Sequence, residues 1–275
     1  MPFTPSHAVV ALPFVRTRLV PAAIAVGAMT PDLALFTRGL PLSYGRTHDL
    51  LWLPATITLA FVLLLVWRCG LRPAARELSP AWLARRLPAS WDGGVRAGWS
   101  ETLRGDERGS TGEHARRISW SALALLVASL ALGVVSHIVW DLFTHEGRWG
   151  VEWFPALDEM WGPLSGYKWL QHGSSAIGLV IIGVWFVVWL SRRRSERDAD
   201  RAVPDLVRWI WWLSLPVALL SGWLIGLALF GSLSADFTAA HLAYRVLPVT
   251  CALWGAGSLL LAGWIQIARS RREPR

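Results

Sequence analysis

Apolar residues gather along this chain in five long stretches, at roughly 49–68, 118–143, 174–191, 209–230 and 246–268. A helix needs about 20 residues to cross a bilayer, and each stretch is near that length. The pattern predicts an all-α fold, a polytopic membrane bundle of about five transmembrane helices. The first 48 residues behave differently. Their apolar pieces, 8–15 and 19–29, are too short to span; Pro13, Pro21 and Pro31 break them, and Arg16 and Arg18 lie between. One straight crossing would carry two arginines into mid-bilayer, at about 2.5–3.5 kcal/mol each. Two short helices, interfacial or folded as a re-entrant hairpin, are therefore expected. The competing reading is a true crossing, which would put His7 on the cytoplasmic side.

Composition strengthens the membrane reading. The 275 residues are 53% hydrophobic and only 17% charged, against about 25% charged in an average soluble domain. That argues against a single soluble globule and excludes a disordered chain. The formal net charge of +8 would suit a nucleic-acid binder, but its distribution explains it otherwise. Of 26 arginines, 20 fall in the 68–117 connection, the 192–208 connection and the C-terminal tail, which a five-span path places on one side. The positive-inside rule makes that side, and the C-terminus, cytoplasmic. The 144–173 and 231–245 loops then face outward, and no nucleic-acid partner is expected. Many of the 19 tryptophans fall near predicted span ends, where interfacial anchors belong. Cys69 and Cys251 form no CxxC pair, so neither a disulfide framework nor a cysteine metal site is expected. The N-terminus lacks the basic region of a cleaved signal peptide.

Three parts follow from this path. Residues 1–191 form a membrane-embedded part that includes the 72–117 connection. Residues 192–208 are a basic cytoplasmic linker, and 209–275 hold two final spans and a basic tail. Within 72–117, Ser79 and Pro80 can start a short amphipathic helix whose apolar side is Trp82, Leu83 and Leu87. The stretch after it is Gly-rich and charged, and reads as a loose loop.

The chemistry lies in residues that a bilayer should exclude. His137, Asp141 and His145 recur at i, i+4 and i+8, within about an 80° sector of one helix face. His137 is about 27 Å of helix from Ser119, near the outer edge of the hydrocarbon. Imidazole and carboxylate on one face form a ligand set for zinc or a similar divalent ion. The plain alternative, interfacial residues bonded to water, fits any one of them equally well. Further polar residues shift the balance. His7, Asp32, the Thr47–His48–Asp49 run and the Gln171–His172 pair all flank predicted spans. With the hairpin reading, six of the seven histidines share the outer side, and His114 alone is cytoplasmic.

On these residues the chain resembles the YdjM-like bacterial inner-membrane proteins, a group regarded as metal-dependent hydrolases, through the order SH…PD…TH…HxxxD…H. It is more similar to a bacterial membrane family defined as a domain of unknown function, through PFTPSH at 2–7, GAMTPD at 27–32, RTHDLL at 46–51, HIVWDLFTH at 137–145 and YKWLQHGSS at 167–175. That likeness covers about residues 1–190. More distantly, the order resembles the zinc-dependent phospholipase C fold, although the second HxxxD/E pair of those enzymes has no counterpart after His172. The resemblance implies a bacterial inner-membrane location. It also implies that His7, Asp32, His48, His137, Asp141, His145 and His172 line a site for one to three divalent ions, zinc foremost. Asp32 and Asp141 would bridge metals or orient a water. Gln171 and Asp49 would hold ligands in place, and Arg46 and Lys168 would bind a phosphate. The activity expected at this depth is hydrolysis of a lipid-associated phosphoester, with membrane lipids as partners. A non-catalytic metal or polar cluster, or a small transporter, remains the alternative. No oligomeric state is implied.

Overall fold

The computed structural model describes residues 3–37, 41–104, 119–195 and 201–271. Part of the Gly-rich loop with His114, part of the basic linker and the end of the tail lie outside the described residues. The described chain is mostly helical, and five helices are long and apolar enough to cross a membrane. Together they indicate a multi-pass membrane protein. In chain order the main helices are α1 (Pro21–Met29), α2 (Leu50–Leu78), α3 (Trp120–Thr144), α4 (Gly166–Ser191), α5 (Asp205–Phe230) and α6 (Ala239–Ser270). A 3-10 helix, Thr4–Phe14, precedes α1. Met160–Trp161 and Leu164–Ser165 pair as a small antiparallel ribbon before α4, its turn opened by Gly162 at φ 77°.

The chain divides into two compact units. One comprises Met1–Leu33, Ser43–Leu65 and Trp99–Arg193. Within it, α1 and the first half of α2 pack on α3, and the 3-10 helix packs on α1 and α4. The α1–α3 crossing brings backbone to backbone. A Cβ added at Gly27 would lie 2.5 Å from the Leu130 carbonyl oxygen, and one at Gly133 would lie 2.2 Å from that of Ile24. Small residues at a crossing let membrane helices approach this closely. The apolar filling of this unit includes Ile24, Leu64, Leu126, Leu130 and Val134.

The N-terminal segment is a hairpin and not one crossing. Pro21 starts α1 after a bend at 15–19, and the Val20 N–H donates to Ser129 Oγ of α3 at 2.9 Å. Both arms run back to His137: His7 stacks on its ring, and Ala28 accepts from it. Ser129 and His137 are about 12 Å apart along α3, so the hairpin reaches only part of the helix length.

The second unit comprises Ala34–Leu42, Val66–Gly98 and Arg194–Arg275. Here α5 pairs with α6, and both pack on the end of α2 around Ala74, Leu78, Val203, Ala262 and Ile265. The first apolar stretch was expected to end near 68, but α2 continues to Leu78 through a π-helical turn, Val66–Leu71. Pro73 has no N–H to offer the preceding turn. The Cys69 carbonyl accepts instead from the Gln266 side-chain amide. Trp67 therefore lies inside a helix and not at its end.

Two charges of the extension, Arg76 and Glu77, have partners. Glu77 is fully buried. Its carboxylate accepts from Arg269 at 2.9 Å and from the Val203 N–H at 3.1 Å, and Arg208 Nε donates to its backbone carbonyl at 3.1 Å. Arg269 also donates to Asp92 at 3.0 Å, and Asp92 meets Arg76. Ser79 does not cap the next helix as expected. It closes α2, donating to the Ala75 carbonyl at 2.6 Å, and the helix that follows is only Ala81–Ala84.

Candidate metal centre

Four ligand-type side chains converge in the first unit. Asp32 follows the α1 C-terminus, His48 ends the one-turn helix Tyr44–Thr47, and His137 and Asp141 lie one turn apart on α3. All four are buried, and one ligand atom from each lies within 4.8 Å of all the others. These four could hold a metal ion. His48 Nε2 is 3.2 Å from His137 Nε2, 3.4 Å from Asp141 Oδ2 and 3.8 Å from Asp32 Oδ1. His137 Nε2 is 3.5 Å from Asp141 Oδ2 and 3.7 Å from Asp32 Oδ1. Ligands about 2.1 Å from one tetrahedral ion stand roughly 3.4 Å apart, so these spacings match a single ion's shell.

The hydrogen bonds behind the rings set which nitrogens face one another. His137 Nδ1 is 2.7 Å from the Ala28 carbonyl oxygen, and His48 Nδ1 is 2.9 Å from that of Tyr44. A carbonyl can only accept, so each Nδ1 carries the proton. In the neutral imidazoles both Nε2 atoms are then lone pairs, facing each other beside two carboxylates. Carbonyl-anchored histidines of this kind are the usual arrangement behind a metal ligand. With the rings neutral these four facing acceptors repel, and a cation at their centre would remove the conflict. Asp141 Oδ1 is also buried without a hydrogen-bond partner.

Further groups hold the ligands. Thr4 Oγ1 donates to Asp32 Oδ2 at 2.6 Å, and the Tyr44 hydroxyl donates to Asp141 Oδ2 at 3.3 Å. Burial first, then the Asp141 and Asp32 charges, push the Tyr44 phenol up, so it stays a neutral donor. Thr47 Oγ1 donates to the Pro31 carbonyl at 2.7 Å, tying the His48 turn to the Asp32 turn.

The remaining expected residues divide. His7 stacks on His137 with ring centroids 4.0 Å apart, and its buried Nε2 has no hydrogen-bond partner. Burial, with His137 next, pushes the His7 imidazole down to about 4, so it is neutral near pH 7. His145 follows the last turn of α3 in extended backbone, with Nδ1 3.6 Å from Asp141 Oδ2 and Nε2 3.2 Å from the Gln171 amide nitrogen. It borders the four and is not one of them. Burial is also the main influence holding its imidazole low.

His172 is exposed and lies outside the cluster. Its helix starts at Gly166, earlier than the apolar stretch indicated, so Gln171 and Ser175 share the inward face and His172 is turned about 100° away. Asp49 is a helix cap and not a support for a ligand: it accepts from the Leu51 N–H at 2.9 Å. Arg46 lies over the Trp52 ring at 4.8 Å and Lys168 over the Tyr167 ring at 5.8 Å, both exposed. The outward-assigned His241 belongs to the second unit, where its Nδ1 accepts from the Thr238 N–H in a capping box.

Sequence reasoning missed Thr4, Tyr44 and the two crossing glycines. Tyr44 stands one helical turn before His48, a signal that was there to be read. The Gly27–Gly133 contact joins positions far apart in sequence and had none.

These residues lie in one recognised family. The chain belongs to DUF4184, a domain of unknown function, whose family model matches residues 1–268. The match runs past the 1–190 likeness and takes in the last two spans. No curated protein and no solved structure matches the chain.

Proposed function

We propose that this protein is a metal-dependent hydrolase of the bacterial inner membrane that cleaves a lipid-associated phosphoester at the outer face. The observation that carries the reading is the facing pair of Nε2 atoms, 3.2 Å apart, between two buried carboxylates. That donor set suits zinc, and also iron or manganese. A divalent ion there would supply Lewis-acid activation of water and of a phosphoryl oxygen.

The chain's own residues would do the rest. His48 and His137 present Nε2 because their Nδ1 protons are held by carbonyls. Asp32 and Asp141 would neutralise the ion, and Asp141 Oδ1 is left to accept a hydrogen bond from a bound water. His7, stacked on His137 with a free nitrogen, stands as a further ligand or base. The arginine distribution supports a cytoplasmic C-terminus and an outward-facing centre.

One observation favours a structural metal instead. All four ligands are buried, and structural sites are closed where catalytic sites keep an open position. Hydrolysis of a model phosphodiester by metal-loaded protein separates the two readings. Turnover in wild type that disappears in the His137→Ala, Asp141→Ala double variant supports the hydrolase. Bound metal without turnover on phosphodiester or phosphomonoester probes would leave a structural centre.

A further inference from the structure

The first unit has a cavity of about 480 Å³ that the four ligands do not use. Ligand sites span about 300–1,000 Å³, so its size suits a bound molecule. Val9 and Val10 of the 3-10 helix, Trp140 of α3, and Ile177 and Ile181 of α4 form its walls. The lining is mostly apolar, with Ser6, His7, Ser136 and Ser174 among it, and the Trp140 indole N–H is already bonded to Ser174 Oγ at 3.2 Å. Ile177 and Ile181 are 62% and 45% exposed on a helix fit to cross a membrane. An apolar, exposed side of this kind on a membrane-crossing helix suits hydrocarbon better than water.

His7 gives the cavity its direction. It belongs to the lining, and its ring stacks on His137 of the metal centre. On α3 the lining residues Ser136 and Trp140 immediately precede the ligands His137 and Asp141, so cavity and centre occupy adjoining faces of one helix. An apolar channel bordered by membrane, with a polar cluster beyond one wall, has the polarity of an amphiphile. We infer that the cavity holds one hydrocarbon chain of a membrane lipid, whose head group is thereby presented to the His7 side of the centre. The inference rests on the metal-site reading for its purpose, but chain occupancy is tested separately.

The test uses full-length protein in lipid nanodiscs containing phosphatidylglycerol with a photoactivatable diazirine in one acyl chain. After illumination, crosslinked residues are mapped by mass spectrometry, and metal content is measured on the same samples. Labelling should concentrate on Val10, Ile177 and Ile181. In Ile181→Trp, and separately in Val10→Trp on the opposite wall, it should fall about tenfold, the cost of displacing roughly two methylenes. Metal content should not change in either variant, which also reports that the unit has folded. Labelling spread evenly over the apolar spans and indifferent to both substitutions overturns the inference and leaves the metal reading intact. Labelling concentrated in the cavity of a protein that binds no metal does the reverse.

Discussion

Two buried polar clusters in this protein solve the same problem in opposite ways. Around Glu77 in the second unit, each carboxylate oxygen has its own donor, Arg269 for one and the Val203 N–H for the other. The Glu77 carboxylate is answered within the chain. Around His137 in the first unit, backbone carbonyls hold the Nδ1 side of both imidazoles, and with the rings neutral the four ligand atoms that face one another are all acceptors. Burial by itself therefore does not mark a functional site. A cluster whose donors and acceptors match needs nothing further, while one with surplus acceptors could hold a cation.

That contrast can be broken in several places. The largest effect should follow Glu77→Ala, which takes a buried carboxylate from Arg269 and leaves the buried Val203 N–H without its acceptor. Removing one partner of a buried ion pair costs about 3–5 kcal/mol. Thermal unfolding in detergent should show that loss equally with and without a chelator, since no metal is involved. Next comes Gly133→Leu. Its side chain must displace the Ile24 carbonyl, and overpacking of this kind costs about 1–3 kcal/mol. Because the crossing sets the Ala28 carbonyl behind His137, this variant should lose metal as well as stability.

Smaller effects sharpen the first cluster. Tyr44→Phe removes a donor to Asp141 but no ligand. Metal affinity, read by competition with a chelator of known strength, should weaken about 10–100-fold. Least of all, His172→Ala should leave metal affinity within about 0.5 kcal/mol of wild type, as surface changes do. A large loss there would restore His172 to the ligand set and count against the four-residue centre.

Much of this was legible in the chain. The five spans were, because length and hydropathy decide them. So were Asp32, His48, His137 and Asp141, because ionisable groups stand out in an apolar background. The end of α2 was not: Arg68, Arg72, Arg76 and Glu77 read as a solvated connection, yet all four are buried, and Glu77 is met by Val203 and Arg269 from distant segments. His172 misled because helix phase, and not sequence adjacency, decides which of Gln171 and His172 faces inward. The crossing at Gly27 and Gly133 depends on two backbones meeting, which no local pattern announces.

The central claim is that Asp32, His48, His137 and Asp141 enclose a divalent cation. Elemental analysis of detergent-purified protein, wild type against the His137→Ala, Asp141→Ala double variant, tests it most directly. The account predicts about one tightly held zinc, manganese or iron per wild-type chain, and almost none in a double variant of unchanged helix content. A wild-type protein that stays metal-free after incubation with all three ions, or a double variant that retains the same metal, would contradict it.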